Sequence, residues 1–301
     1  MRFNLSNALA GTAMVAAIAI MQPMQVSAKT AKEVAQVAVP TTVRIDNPLG
    51  TNLGGSGVII AKSGNTYTVL TCNHVVKNPN LDYKIYTSKK KTYKVTQVTY
   101  LPKTAGDLDL AIVKFESPEE QAVAPISDSD EASIGSGVYI SGYPMSLETE
   151  GVREYEFTNG QVSSRPDQRA GGYTMRYTAV TVRGMSGGPV FDVSGRVVGI
   201  HGQGDREGVV KNESESGATG IEIKRGLNAA IPINSFTAIM PSFNLNKSDL
   251  AFDNAKPDDT PTTKPTREEV KSWEQDFALS VGVGILRQIG IPVPFIPGFP
   301  F

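Results

Sequence analysis

From Val34 onward the chain is a series of short β-like runs separated by turn residues, and this pattern limits the fold more than any other feature. A Ser-Gly-Asn turn at 63–65 separates the runs 58–60 and 67–71, which predicts a hairpin. Helical periodicity is scarce until about Ile233, where a short helix is expected to close the domain. Many short strands with regular turns favour an all-β barrel or sandwich. Further strands are expected at 37–39, 42–45, 83–87, 92–100, 109–115, 137–142, 152–164, 173–178, 189–200 and 219–224.

The first 28 residues have the pattern of a secretory signal peptide. Arg2 supplies the positive start, residues 8–21 form the apolar centre, and Val26-Ser27-Ala28 offers small residues for cleavage. The alternative is a membrane anchor, but the apolar run is short for a span of about 20 residues. We therefore expect removal of residues 1–28, no stable membrane anchor afterwards, and a secreted or periplasmic location.

The remaining chain is divided by a change of composition near residue 253. Residues 29–245 are expected to form one domain. Residues 246–266 are expected to form a linker, because the later part of this stretch is rich in Pro, Thr, Asp and Lys. Residues 267–301 are expected to form a short C-terminal helical appendage that ends in a proline-rich apolar tail.

Charge and metal-ligand content exclude several classes of function. The formal net charge of −1 gives no overall field toward nucleic acid or an anionic membrane. Two histidines and one cysteine argue against a metal enzyme, and we expect no metal and no cofactor. Cys72 cannot form an internal disulfide and is interpreted as a buried structural residue rather than a catalytic thiol. The glycine loop 54–57 lacks the Lys-Ser/Thr context of a phosphate-binding loop.

Two segments offer a base and an orienting acid. His74 follows the apolar run 69–72, and the end of a packed strand can hold a general base in one orientation. Asp109 stands at the head of the apolar strand 110–113, where burial beside an imidazole is easiest. Asp107 is the competing acid, but its position two residues earlier is more typical of a turn.

A third segment, Arg183-Gly184-Met185-Ser186-Gly187-Gly188-Pro189, offers a nucleophile. Glycines on both sides of Ser186 let the backbone turn tightly and approach a substrate closely. The backbone amides of Gly184 and Ser186 are candidates for an oxyanion hole, in which one donor is worth about 3 kcal/mol in other enzymes.

The order His74, Asp109, Ser186 and the motif Gly-Met-Ser-Gly-Gly-Pro resemble the chymotrypsin-like (trypsin-fold) serine peptidases, over about residues 34–240. The likeness is nearest to bacterial members, the Deg/HtrA proteases and the glutamyl endopeptidases. It implies two antiparallel six-stranded β-barrels, with His74 and Asp109 from the first and Ser186 from the second. It also implies an endopeptidase that cleaves peptide or protein substrates through an acyl-enzyme.

The sequence departs from the family at three points. Met185 stands where bacterial members usually carry Asn, and this position contributes mainly its backbone. The Ile-Val-Gly-Gly start that activates animal digestive members is absent. About 60 residues follow residue 240, which are too few for the PDZ domain and linker of Deg/HtrA proteins.

The resemblance also bears on specificity. Family members that cleave after Lys or Arg usually carry an acid six residues before the serine. Here that residue is Val180, which disfavours a pocket for basic side chains. Thr181 and His201 match the residues that bind the substrate glutamate in glutamyl endopeptidases, so an acidic preference is one interpretation. The other interpretation is that His201 is a structural residue of a strand, with its hydrogen bonds made inside the protein. Arg183 is interpreted as a solvated loop charge rather than a further contact.

Two other functions compete with an endopeptidase. A latent or non-catalytic homologue that acts as a binding or regulatory module is the main alternative, and the complete set of His74, Asp109 and Ser186 argues against it. The other is an esterase, since Gly184, Ser186 and Gly188 match the Gly-x-Ser-x-Gly motif of the nucleophile turn in such enzymes. That motif requires a strand-turn-helix and the order Ser, Asp, His, whereas here the serine comes last and a strand follows.

Overall fold

The computed structural model describes residues 28–101, 107–145, 153–210, 221–253 and Ala255. The predicted C-terminal appendage and nearly all of the predicted signal peptide lie outside these residues. Within them no helix is both long enough and apolar enough to span a bilayer.

Six strands form the first of two closed barrels, in the order β1-β2-β3-β6-β5-β4 with antiparallel neighbours. The β2–β3 hairpin turns at Gly64-Asn65, as the sequence predicts, and pairs Val58 with Leu70. The strands are β1 (Thr42–Asn47), β2 (Gly50–Ser63), β3 (Thr66–Thr71), β4 (Lys84–Tyr86), β5 (Thr92–Tyr100) and β6 (Ala111–Glu116).

The second barrel repeats this arrangement, in the order β10-β11-β12-β9-β8-β7 and again with antiparallel neighbours. The expected all-β class with two six-stranded barrels is therefore confirmed. The strands are β7 (Gly137–Gly142), β8 (Glu156–Ser164), β9 (Met175–Thr178), β10 (Pro189–Asp192), β11 (Val197–Val210) and β12 (Ile221–Pro232).

The single strand expected at 189–200 is wrong, because a turn at 193–196 divides it into β10 and β11. Asp192 forms this turn: its Oδ1 accepts hydrogen bonds from the amides of Ser194 and Arg196, both at 2.9 Å. Its Oδ2 accepts from the buried Arg196 guanidinium at 2.8 Å. The turn residues are thus paired locally, and β11 returns antiparallel to β10.

The strand expected at 37–39 is also wrong, since these residues belong to helix α1 (Ala31–Thr41). A capping box starts the helix: the Glu33 amide donates to the Thr30 hydroxyl at 3.3 Å, and the Thr30 amide donates to the Glu33 carboxylate at 2.8 Å. Val34 and Ala38 lie one helical turn apart and are both buried, so this segment packs through a helical face.

The apolar core continues from the first barrel across the junction between the barrels to helix α2 (Ile233–Ile239), which confirms the predicted closing helix. A smaller apolar cluster fills the second barrel and includes Val138, Val162, Met175 and Val198. Where the barrels meet, polar contacts are also buried, such as the Thr42 and Ser141 hydroxyls at 2.7 Å.

Packed structure continues beyond residue 245, into the stretch that the sequence assigns to a linker. Leu250 is buried in the main core, and Phe252 packs against it. The Ile126 amide donates to Ala251 O at 2.8 Å and the Asp253 amide donates to Ile126 O at 2.9 Å. Residues 246–253 therefore belong to the domain, because they bury apolar side chains and pair their backbone with it.

Candidate active site

His74 lies just past the end of β3, in a short 3₁₀ turn at Asn73–Val75. The fully buried Cys72 stands between the end of the strand and this turn, and it fixes the start of the turn in the core. The His74 amide donates to Asp109 Oδ1 at 2.9 Å, and His74 Nδ1 lies 2.6 Å from Asp109 Oδ2. The imidazole is 44% exposed, so its ring is oriented by the protein yet reachable from solvent.

Asp109 stands two residues before the start of β6, and the backbone fixes it on both sides. Its amide donates to Gly171 O at 3.1 Å, and its carbonyl accepts from the Asn73 amide at 3.2 Å. The Tyr173 hydroxyl donates to Asp109 Oδ2 at 2.6 Å. Asp107, the competing acid, is exposed.

These contacts determine the charge state of Asp109. Burial alone would raise the pKa of its carboxyl, but the hydrogen bonds and charge of His74 and the hydrogen bond from Tyr173 outweigh burial. The pKa of Asp109 is therefore below its ordinary value. The carboxylate beside the imidazole is ionised at neutral pH.

Ser186 lies in the turn that precedes β10. Gly187 has φ +86°, and a Cβ there would lie 2.2 Å from both Ser56 O and Thr71 Oγ1, so this position requires glycine. The Ser186 hydroxyl donates to Gly202 O at 3.3 Å, and none of its hydrogen bonds within the described residues goes to His74. His74 and Ser186 nevertheless line one cleft of about 510 Å³.

The backbone before Ser186 has a defined orientation. Arg183 O accepts a hydrogen bond from the Met145 amide at 2.7 Å. No peptide bond in the described residues is cis, and in a trans peptide the carbonyl and the next N–H point in opposite directions. The Gly184 N–H therefore points away from Met145, and no described residue accepts a hydrogen bond from the Gly184 or Ser186 amide.

Thr181 and His201 line the same cleft, although both side chains are almost fully buried. The Thr181 hydroxyl donates to Asn228 Oδ1, while Asn228 Nδ2 donates to Ala179 O at 2.7 Å. His201 Nδ1 lies 2.6 Å from the Tyr177 hydroxyl. Burial raises the pKa of Tyr177 well above its ordinary value, so this partner of His201 is neutral.

The two other residues considered for specificity differ in position. Arg183 lines the cleft and is exposed. Val180 is 75% exposed, and it is not among the residues that line the cleft.

Comparison with known proteins decides the family. Residues 55–200 match the family model of the trypsin-like peptidase domain. This part of the chain is a trypsin-like peptidase domain. The "Serine protease Do-like HtrA" of Lactococcus lactis subsp. cremoris is 30% identical over 192 residues, which are 62% of this chain and 44% of that protein. The "Glutamyl endopeptidase" of Staphylococcus aureus (strain MW2) is 30% identical over 178 residues, 54% of this chain and 50% of that protein.

The chain spans about half or less of the length of these curated relatives. The two relatives bear the names of the two bacterial groups that the motifs resemble. The expected family and its two-barrel fold are thus confirmed.

The peptidase domain also brings Cys72, His74 and Asp109 together, with possible metal-ligand atoms within 4.8 Å of one another. Burial strongly raises the pKa of the Cys72 thiol, whereas a metal ligand must be a thiolate. Asp109 Oδ2 already contacts His74 and Tyr173. The arrangement therefore fits hydrogen bonding within the site better than metal coordination.

Sequence reasoning missed several residues around the site, because they belong to no recognisable motif. Tyr173 reaches Asp109 from the segment before β9, and Tyr177 and Asn228 contact the two candidate specificity residues. Ser56 lies in β2, and its hydroxyl donates to Gly184 O at 2.8 Å. Arg153 donates to the same carbonyl at 3.0 Å. Only the glycines around Ser56 gave a signal, and they were considered as a phosphate-binding loop, which their sequence context excludes.

Proposed function

We propose that the peptidase domain is an exported serine endopeptidase that cleaves peptide bonds by acyl transfer. In this proposal Ser186 is the nucleophile, His74 the general base and Asp109 the acid that orients it. The backbone amides of Gly184 and Ser186 bind the oxyanion. The observation that carries the proposal is the 2.6 Å contact of His74 Nδ1 with ionised Asp109, on a cleft that Ser186 also lines.

Acylation follows from these positions. With Nδ1 held by Asp109, Nε2 is the imidazole nitrogen that receives the Ser186 proton as Oγ attacks the substrate carbonyl carbon. The hydroxyl must first rotate from Gly202 O toward His74. Negative charge that develops on the carbonyl oxygen is met by the Gly184 and Ser186 amides. The C–N bond then breaks, and the departing amine takes the proton from His74.

Deacylation repeats these steps with water. His74 removes a proton from a water molecule, whose oxygen attacks the ester carbon of the acyl-enzyme. The C–O bond to Ser186 breaks, and Ser186 regains its proton from His74. The acid product leaves. Asp109 stays ionised throughout and stabilises the imidazolium in both halves of the reaction.

The test is cleavage of a mixed peptide library by the protein beside Ser186→Ala. Removing a nucleophilic serine lowers kcat by about 10⁶-fold in a comparable enzyme, so the variant should give no detectable products. Thermal unfolding of both proteins controls for a loss of fold. Equal cleavage by both proteins would place the activity elsewhere.

A latent or non-catalytic homologue is the second candidate, and one observation favours it. The Ser186 hydroxyl donates to Gly202 O and not to His74. If this state persists with substrate, neither the protein nor Ser186→Ala will cleave the library. Peptide binding without cleavage, measured by calorimetry, would then support a binding role.

Within the same proposal we assign an acidic preference to the cleft. When the Tyr177 hydroxyl donates to His201 Nδ1, the proton of the neutral imidazole lies on Nε2. The protonated imidazole also carries a proton on Nε2, so this atom is a donor in both charge states. Nε2 is the atom we assign to a substrate carboxylate. The Thr181 hydroxyl would have to turn from Asn228 to join it, so His201 is the principal determinant in this assignment.

Export and processing complete the proposal. Removal of residues 1–28 would leave a chain that begins near Lys29, whose amide donates to Val193 O at 2.8 Å in the folded domain. Residues 29–253 would then form the secreted or periplasmic peptidase domain, and residues 254–266 and 267–301 the linker and the C-terminal appendage. N-terminal sequencing of the exported protein tests the cleavage position.

A further inference from the structure

Arg153 is a buried cation that the proposed chemistry does not use. Its side chain is 2% exposed, and within the described residues its ion pair is a long one, with 3.8 Å between Nη1 and Asp46 Oδ1. Asp46 is instead bound by Arg44, at 2.7 and 2.9 Å. Burial lowers the pKa of Arg153 to about 10, which leaves the guanidinium charged at neutral pH. A buried charge of this kind is costly unless its hydrogen bonds are satisfied.

Backbone carbonyls satisfy it, and they come from both barrels. Nε and Nη2 donate to Tyr143 O at 3.0 and 2.7 Å. Nη1 donates to Ile45 O at 3.2 Å, and Nη2 also donates to Gly55 O at 2.6 Å and to Gly184 O at 3.0 Å. The guanidinium therefore cross-links β1 and β2 of the first barrel to the turn that carries Ser186.

The same turn is attached at neighbouring atoms. Gly184 O accepts a second hydrogen bond from Ser56 Oγ, which in turn accepts from the Tyr143 amide at 2.8 Å. Arg183 O is bound by the Met145 amide. The carbonyl groups of Arg183 and Gly184 are therefore both hydrogen-bonded. Because the Gly184 N–H shares a peptide plane with the Arg183 carbonyl, it has little freedom to rotate.

We propose that Arg153 is a positioning residue for the oxyanion hole, which fixes the 183–186 turn with the Gly184 N–H directed into the cleft. This inference rests on the proposed function. The planar guanidinium carries five N–H donors and contacts carbonyls from four segments at once, so lysine should replace arginine poorly. The long contact with Asp46, which is itself paired with Arg44, does not account for the burial of this cation, whereas the contacts with the four carbonyls do.

The test compares Arg153→Met and Arg153→Lys with the wild-type protein and with Arg196→Met. Arg196 is the matched control, because it is as buried as Arg153 but pairs with Asp192 and does not contact the turn. For Arg153→Met we expect kcat to fall by about 10²-fold, as for the loss of one oxyanion donor, with KM changed by less than about twofold. Arg153→Lys should fall between Arg153→Met and the wild type. Arg196→Met should lower the unfolding temperature and leave kcat within about threefold of wild type.

Amide hydrogen exchange supplies a readout that needs no activity. Two amides report on the turn: the Met145 amide is bound to Arg183 O, and the Ser56 amide is bound to Ser186 O at 2.8 Å. Both should exchange faster in the two Arg153 variants, and their exchange rates should be unchanged in Arg196→Met. Wild-type kcat together with wild-type exchange at these amides in a folded Arg153 variant would overturn the inference. If Arg153→Met does not fold, Arg153→Lys decides by the same two measurements. Failure of the proposed function itself would appear as an inactive wild-type protein and would leave the exchange test in force.

Discussion

Asp109 receives three hydrogen bonds through its carboxylate, from the His74 amide, from His74 Nδ1 and from the Tyr173 hydroxyl. Two of them determine where the imidazole sits, and the third comes from a residue outside the predicted set. Room for that third bond exists only because residue 202 is glycine: a Cβ on Gly202 would lie 2.1 Å from the Tyr173 oxygen. The base is thus positioned by residues from both barrels.

Tyr173→Phe should weaken this arrangement in a pH-dependent way. Hydrogen bonds to charged groups contribute about 1.5–3 kcal/mol when buried, and partial exposure of Asp109 favours the lower end. Because Tyr173 helps to lower the folded pKa of Asp109, the stability it contributes is present above the unfolded pKa of about 3.9 and is lost as pH falls through the folded pKa.

Chemical denaturation at pH 7 and pH 3 measures this effect. The difference in unfolding free energy between wild type and Tyr173→Phe should shrink at pH 3, and kcat at pH 7 should fall about tenfold, the equivalent of 1.4 kcal/mol. Tyr139→Phe is the control, since Tyr139 stacks on Phe157 in the second barrel, away from Asp109. A difference of the same size at both pH values would argue against a hydrogen bond to an ionised carboxylate.

His201→Gln should change specificity more than overall activity. A charge-assisted hydrogen bond to a substrate carboxylate is lost, so kcat/KM for cleavage after Glu should fall by about 10²-fold relative to cleavage after Leu. Lys94→Gln is the control, because Lys94 is an exposed cation on β5 that does not line the cleft, so this change should alter the ratio by less than about threefold. An unchanged Glu-to-Leu ratio in His201→Gln would show that His201 does not recognise the acid.

At the scale of elements, the sequence predicted most strands but misassigned the first helix. Alternation is a weak signal over three residues, and Val37, Ala38 and Val39 have the composition of a strand. The helix is set by long-range burial of Val34 and Ala38 and by the capping box of Thr30 and Glu33. Likewise, the turn between β10 and β11 depends on hydrogen bonds to the Asp192 side chain. The hydrophobic pattern of the sequence carries no information about such bonds.

Thr30→Ala should test the capping box. Loss of an N-cap side chain costs about 1 kcal/mol, which for a domain of this size lowers the unfolding temperature by about 2–4 °C. Differential scanning calorimetry measures the shift. Lys32→Ala, an exposed change in the same first turn, should alter the unfolding temperature by less than about 1 °C. Equal shifts in the two variants would mean that the cap does not stabilise α1.

At the scale of the whole molecule, each barrel contributes parts of the site that the other cannot supply. The first barrel carries His74 and Asp109, and the second carries the Ser186 turn, as the resemblance implies. These residues can be found from the sequence, because a reactive group needs a fixed local backbone and therefore particular neighbours along the chain. The residues that join the barrels, such as Ser56 and Arg153, act through carbonyls far away in sequence, so no local pattern reveals them. The buried polar contacts between the barrels therefore could be found only in the folded protein.

The central claim is that these parts form an activated serine, and covalent labelling tests it most directly. A fluorophosphonate loses fluoride as the Ser186 oxygen bonds to phosphorus, and a serine activated by its base reacts far faster than a free hydroxyl. Intact-mass and peptide-mass measurements should find one adduct per chain, on Ser186, with labelling strongly slowed in His74→Ala. Absence of the adduct in the folded wild-type protein, or labelling that is independent of His74, would contradict the account.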